Sequence, residues 1–172
     1  SSAVAKMHAL GTLDGLGALS EETISKALHD PDEHVRERAI MLTEHLGAEA
    51  QSRSVESLVA ALQDAIPRVR MQAALTISTL DAHIAASHPE TGQQTNRWTE
   101  MARLLEYNGN DPWTSAAVLS ASPVQNLKML SEFVDGPLKS HEPPPAAIAA
   151  LVRICASYKD AHKNTDVASV VA

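Results

Sequence analysis

The chain has 172 residues, enough for one domain or a short array with a buried core. Hydrophobic residues make up 44% of it but aromatics only 3%, so its apolar content is mostly Ala, Leu, Val and Ile, the residues of packed helices. A formal net charge of -7 leaves no polyanion footprint and argues against nucleic acid as a partner.

The first 20 residues do not read as a signal peptide, and no apolar run reaches the ~18 residues of a membrane span, so no direct membrane insertion is expected. The start at Ser1-Ser2, inside a repeat, suggests a fragment or processed piece. A helix is expected over 3–14, ended by the glycines of Asp14-Gly15-Leu16-Gly17. Ser20 caps a second helix, Glu21 and Glu22 open its first turn, and Ile24, Ala27 and Leu28 supply its apolar face. Asp30 is expected to cap the next, over 31–46, with Pro31 in its first position and Gly47 at its end. Its residues Val35, Ala39, Leu42 and Leu46 form one apolar stripe.

The pattern then repeats. Ser54 reads as a cap, Leu58 and Leu62 as the following apolar face, and 67–82 as the partner helix, with Val69 and Leu80 in it. Asn96 reads as the cap of a helix ending near Tyr107, Asp111-Pro112 restarts the pattern over 112–121, Ser122-Pro123 opens another helix, and 145–158 is the last. Loops are expected at 87–95 and 136–144, with 161–172 a frayed tail.

Four segments share one frame: Ala5-Lys6-Met7-His8-Ala9, Val35-Arg36-Glu37-Arg38-Ala39, Val69-Arg70-Met71-Gln72-Ala73 and Trp113-Thr114-Ser115-Ala116-Ala117. They recur roughly every 30 to 45 residues, a helical-repeat period. One helix pair cannot bury its stripe alone, so neighbours must stack. The expected fold is all-α, a single short solenoid of antiparallel helix pairs over 1–160. Asp30 and Asp64 fall in the turns, with Arg36 and Arg70 one turn into the helices after them. They read as a hydrogen-bonded ladder between repeats, the alternative being a catalytic pair.

The D-P-x-x-x-V-R-x-x-A frame resembles the HEAT-like repeats of the bilin-lyase type. KMHALGTLDGLGALSEETISKALHDPDEHVRERAI, residues 6–40, and DPWTSAAVLSAS, residues 111–122, resemble the helical-repeat region of large exported planctomycete-type proteins known as membrane-bound dehydrogenases or heme-binding proteins. In that family the repeats sit beside a dehydrogenase-like β-propeller and a c-type cytochrome module. The resemblance implies a non-catalytic scaffold within a periplasmic or otherwise exported redox protein, with protein partners. Covalent heme needs C-x-x-C-H, and Cys155 is followed by Ala-Ser-Tyr, so no cofactor is expected in this segment.

The remaining chemistry is sparse. The single cysteine excludes an intramolecular disulfide, and its apolar surroundings, Leu151-Val152-Arg153-Ile154, make it a buried small hydrophobe rather than a nucleophile. Eight histidines are scattered rather than set at ligand spacing, so a metal site is the weaker reading. Trp98 and Trp113 are expected in the core, Trp113 because it stands at the valine of the frame.

In a solenoid of this kind the second helices line the concave side. His34, Arg38, Met41 and His45 form a stripe away from the core, continued in the next repeat by Arg68, Gln72, Leu75 and Thr79. This strip is either a solvated face or a groove for a protein partner. Two other functions stay open: a tetrapyrrole-handling enzyme of the bilin-lyase type, and a metal- or heme-binding carrier.

Overall fold

The computed structural model describes residues 2–87, 97–140 and 142–161, among which there are nine α-helices and no strand. These are α1 Ala3–Gly15, α2 Glu21–Leu28, α3 Glu33–Thr43, α4 Ala48–Ala61, α5 Pro67–Ser87, α6 Arg97–Asn108, α7 Pro112–Leu119, α8 Pro123–Val134 and α9 Pro145–Ala161. They form two compact units, Ser1–Gln93 with α1 to α5 and Gln94–Ala172 with α6 to α9.

Local signals set most of the boundaries. Ser20 accepts the Thr23 amide at 3.2 Å and Asp111 the Thr114 amide at 2.9 Å. Ser122 and Gln125 make a reciprocal capping box at the start of α8. At the end of α1, Gly17 takes φ +63° and donates to Asp14, while Ala18 donates to Leu13, the paired bonds of a Schellman turn.

Two caps differ from expectation. Asp32, not Asp30, caps α3 by accepting the His34 amide, so the helix begins at Glu33 rather than 31. Asp30 stays outside, where it accepts the Asp32 amide and the Lys6 ammonium. Nor does Ser54 cap the following helix: α4 starts earlier, after Gly47, and Ser54 is a buried mid-helix residue bonded to the Ala50 carbonyl. Gly47 therefore begins α4 rather than ending α3, whose last residue is Thr43. The expected cap Asn96, the loop over 88–95 and the tail over 162–172 lie outside the described residues. Residues 136–144 contain no helix where they are described.

In unit 1, α2 pairs with α3 and α4 with α5. The pairs stack so that α1, α3 and α5 form one layer and α2 and α4 the other. Leu10, Ile24, Ala27, Val35, Ala39, Leu42 and Leu46 make a continuous core across α1, α2 and α3. Each large member contributes about 1.5–3 kcal/mol by leaving water. Unit 2 has the same order: α6 pairs with α7 and α8 with α9, α6 packs on α8 and α7 on α9. Trp98, Met101, Leu105, Met129, Leu138 and Leu151 are its buried centre.

The repeat register in unit 2 differs by one residue from the sequence frame. Val35, Val69 and Thr114 each occupy the third position of their helix, and all three are buried. The residue that follows reaches back six positions to a carbonyl: Arg36 to Asp30, Arg70 to Asp64 and Ser115 to Gly109. Trp113 is thus the counterpart of His34 and Arg68, not of Val35. It is 74% exposed, contrary to the core placement expected of it. Trp98, at 9%, is buried as expected.

Candidate protein-interaction face

The turns within the helix pairs α2–α3 and α4–α5 are held by the ladder that the sequence suggested. Arg36 donates from Nε to Asp64 Oδ2 at 2.8 Å and from Nη2 to Oδ1 at 3.0 Å, a bidentate pair joining adjacent repeats. Its Nη1 also donates to the carbonyls of Asp30 and Pro31, as Arg70 Nη1 does to those of Asp64 and Ala65. A preceding rung joins Lys6 Nζ to Asp30 Oδ2 at 2.6 Å. Burial pushes the Asp64 carboxyl up, but Arg36, the Ile66 amide and Arg70 outweigh it and hold it below its ordinary value. Asp30 is held low by Lys6 and the Asp32 amide. The guanidinium is engaged with the carboxylate and with two turn carbonyls, and the carboxylate also accepts the Ile66 amide, the geometry of a structural fastener.

The predicted strip lies on the outer face of the α1, α3, α5 layer, and its members differ in what they do. His34, Met41 and His45 are exposed on α3, as are Arg68 and Thr79 on α5; Arg38, Gln72 and Leu75 are half-buried. His45 Nδ1 lies 2.8 Å from Asp14 Oδ1 on α1. Arg68 bonds Glu37 at 3.0 Å across α3 and α5. Gln72 Nε2 donates to Thr76 Oγ1 at 3.2 Å, and that hydroxyl donates to Glu44 at 2.7 Å. Thr79 donates to the Leu75 carbonyl of its own helix. Arg38 makes no hydrogen bond or ion pair among the described residues. The strip is therefore laced by pairs between neighbouring helices; His34 Nε2 lies 3.9 Å from Glu33 Oε1 on its own helix, and Arg38 and Met41 are left uncommitted near the middle.

Sequence reading missed those cross-helix pairs. One signal was available for the first rung, since Lys6 aligns with Arg36 and Arg70 as Asp30 aligns with Asp64. No local pattern marks Asp14 with His45 or Glu37 with Arg68, because each pair closes only when the helices stack.

Elsewhere the chemistry is that of packing. Cys155 is buried in α9 and burial raises its thiol pKa, opposite to what activates a nucleophile. Among the described residues no three His, Cys, Asp or Glu side chains cluster to hold a metal ion, and no helix is long and apolar enough to cross a membrane. A cleft of about 270 Å³ lies between α1 and α2, with Ala9, Leu10, Leu13, Ala27 and Val35 lining it and the Lys6–Asp30 rung at its edge. In unit 2 an open cleft of about 650 Å³ is lined by Glu106, Asn110, Glu142, three successive prolines from Pro143 to Pro145, and Ile148.

A family model described as HEAT repeats matches residues 20–88. The matched stretch holds α2 to α5, two stacked helix pairs, so unit 1 carries HEAT-like repeats. No curated protein and no solved structure matches the chain. The HEAT match brings with it neither a dehydrogenase nor a heme-binding likeness. HEAT-like stacks commonly bind proteins along extended surfaces, and the fold is typically non-enzymatic.

Proposed function

We propose that this chain is a non-catalytic interaction module that holds a protein partner on the outer face of the α1, α3, α5 layer. The observation that carries the reading is the state of the strip. Its charges at Arg68, Glu37, Asp14 and His45 are tied between helices, which fixes the surface, while Arg38 and Met41 stand free on it. A rigid face with a few uncommitted side chains loses little entropy on binding. The acidic balance of the chain favours a protein partner over nucleic acid.

The test is site-specific crosslinking. Benzoylphenylalanine at Met41 is expected to capture a partner in the source cell, whereas the same group at Glu56, exposed on α4 in the other layer, is not. With the captured protein purified, charge reversal at Arg38, which has no ion pair to lose, is expected to weaken binding at least tenfold with an unchanged melting temperature. Equal capture from both positions, or equal affinity of the intact variant, would sink the reading.

The finer proposal is that the parent is a larger exported redox or heme-binding protein in which this module docks neighbouring domains. Its support is the resemblance of residues 6–40 and 111–122 to that family's repeat region. The full open reading frame tests it: a flanking C-x-x-C-H and a β-propeller are expected, and their absence would remove the redox parent.

A further inference from the structure

Unit 2 holds the larger of the two clefts described above, and that cleft is built by a close approach. Glu106 and Asn110 line it from the end of α6 and the turn after it, Glu142 to Pro144 from the segment leading into α9, and Pro145 and Ile148 from α9 itself. At Gly109 a β-carbon would stand 3.1 Å from the Ala147 β-carbon and 3.2 Å from Pro144 Cγ, so the missing side chain is what lets the start of α9 pack against the end of α6. Pro143 and Pro144 are half-buried and serve as a wall.

The charge of the cleft is one-sided. Among the described residues that line it are two carboxylates and no Lys or Arg. Glu142 is exposed and makes no hydrogen bond or ion pair among the described residues, and the same holds for Asn110. Glu106 is already engaged, but it adds negative charge to the last turn of α6, which carries no basic residue and where the helix dipole favours a cation. An anion on the N-terminus of α9 would find few donors. Pro145 has no N–H, and the amides of Ala147 and Ile148 both donate to the Pro144 carbonyl.

Exposed aromatic surface adjoins this charge along the chain. Tyr107 follows Glu106, and Trp113 sits second in α7, three residues after Asn110; they are 73% and 74% exposed, two of only five aromatic residues in the protein. Aromatic faces attract guanidinium groups, and a guanidinium forks onto a carboxylate by two parallel bonds. An open cleft of about 650 Å³ takes a short run of residues rather than a single amine.

We propose that the cleft between α6 and α9 docks a basic segment of a protein partner, with an arginine of that segment paired to Glu142 and its neighbours running over Asn110 toward the rings of Tyr107 and Trp113. The apolar stem of the arginine lies along Pro145 and Ile148. The net charge of -7 on the whole chain favours the approach of such a segment. This site belongs to unit 2 and does not rest on the face assigned to unit 1.

The experiment uses the full chain labelled with ¹⁵N and a blocked hexa-arginine peptide, with binding read at the tryptophan indole N–H resonances and the Asn110 side-chain amide. Blocked hexalysine and spermidine run as parallel arms. Trp113 and Asn110 are expected to shift saturably with one dissociation constant while the buried Trp98 stays in place. Read at Trp113, Glu142→Gln should weaken binding at least threefold and Glu142→Lys at least tenfold, with unchanged melting. Glu56→Lys, the same charge change at an exposed residue of α4, should weaken it less than twofold. An unshifted Trp113 or wild-type affinity in Glu142→Lys would overturn the proposal. So would equal weakening by Glu56→Lys, which would mark general attraction to an acidic chain, or spermidine or hexalysine binding as tightly as hexa-arginine. Capture at Met41 tests the other face and is indifferent to each of these outcomes.

Discussion

Arg36 grips Asp64 across a repeat boundary through two parallel bonds, at 2.8 and 3.0 Å, with both side chains largely out of solvent. Breaking one side leaves the other charge partly buried and unpaired. Arg36→Gln or Asp64→Asn is therefore expected to cost about 2–4 kcal/mol, with a coupling of about 1–3 kcal/mol in the double-mutant cycle. Thermal melting of the four proteins measures both.

The same pair makes stability depend on pH in a known direction. Asp64 and Asp30 have lowered folded-state pKa values, so their contribution is complete above the unfolded carboxylate value near ~3.9 and is lost as pH falls through the folded values. Denaturant melts should show stability falling below about pH 4, with a shallower fall in Asp64→Asn, whose side chain has no proton to take up.

Val35 touches the core formed by Leu10, Ile24 and Leu42 and is 1% exposed. Val35→Asp buries a carboxylate with no cation beside it and should cost about 3 kcal/mol or more. A melting temperature equal to wild type would contradict the packing of α3 on α1 and α2.

The two tryptophans should separate optically. Trp98 is buried, with the Arg97 guanidinium 5.2 Å from its ring centre, and Trp113 is exposed. Iodide is expected to quench Trp113 and spare Trp98. Trp98→Ala should cost about 3–5 kcal/mol and Trp113→Ala no more than about 0.5.

Two glycines of one stretch should respond with opposite signs. Gly17 holds φ +63°, so Gly17→Ala is expected to lose about 1 kcal/mol. Gly11 lies inside α1, and an added methyl would meet Arg38 only at ordinary contact distance, so Gly11→Ala should gain about 0.5–1 kcal/mol. Paired thermal melts of the two variants decide it.

How far the sequence could be read depended on whether the deciding contact was local. Ser20, Asp111 and Ser122 cap helices by bonding within three residues, and each was visible. The choice between Asp30 and Asp32 was not, because Asp30 is drawn away by Lys6, 24 residues distant. Trp113 was misplaced by aligning Ala117 with Ala39; Val118 is the true counterpart, and only the six-residue hydrogen bond from Ser115 to Gly109 reveals the shift. On the strip, chemistry and helix face were legible from spacing. That Arg68 is engaged and Arg38 is not depends on whether a carboxylate on the next helix stands opposite.

The rungs of the ladder are unequal, and that sets an order of opening. Lys6 holds Asp30 by one ammonium contact, whereas Arg36 holds Asp64 by two bonds and adds two more to turn carbonyls. In a stacked array each element leans only on its neighbours, so disassembly proceeds from the weakest seam inward. Helix α1 is the segment that peels first, and because Gly11 rides on it, the surface around Arg38 is also the first to be remodelled when the stack loosens.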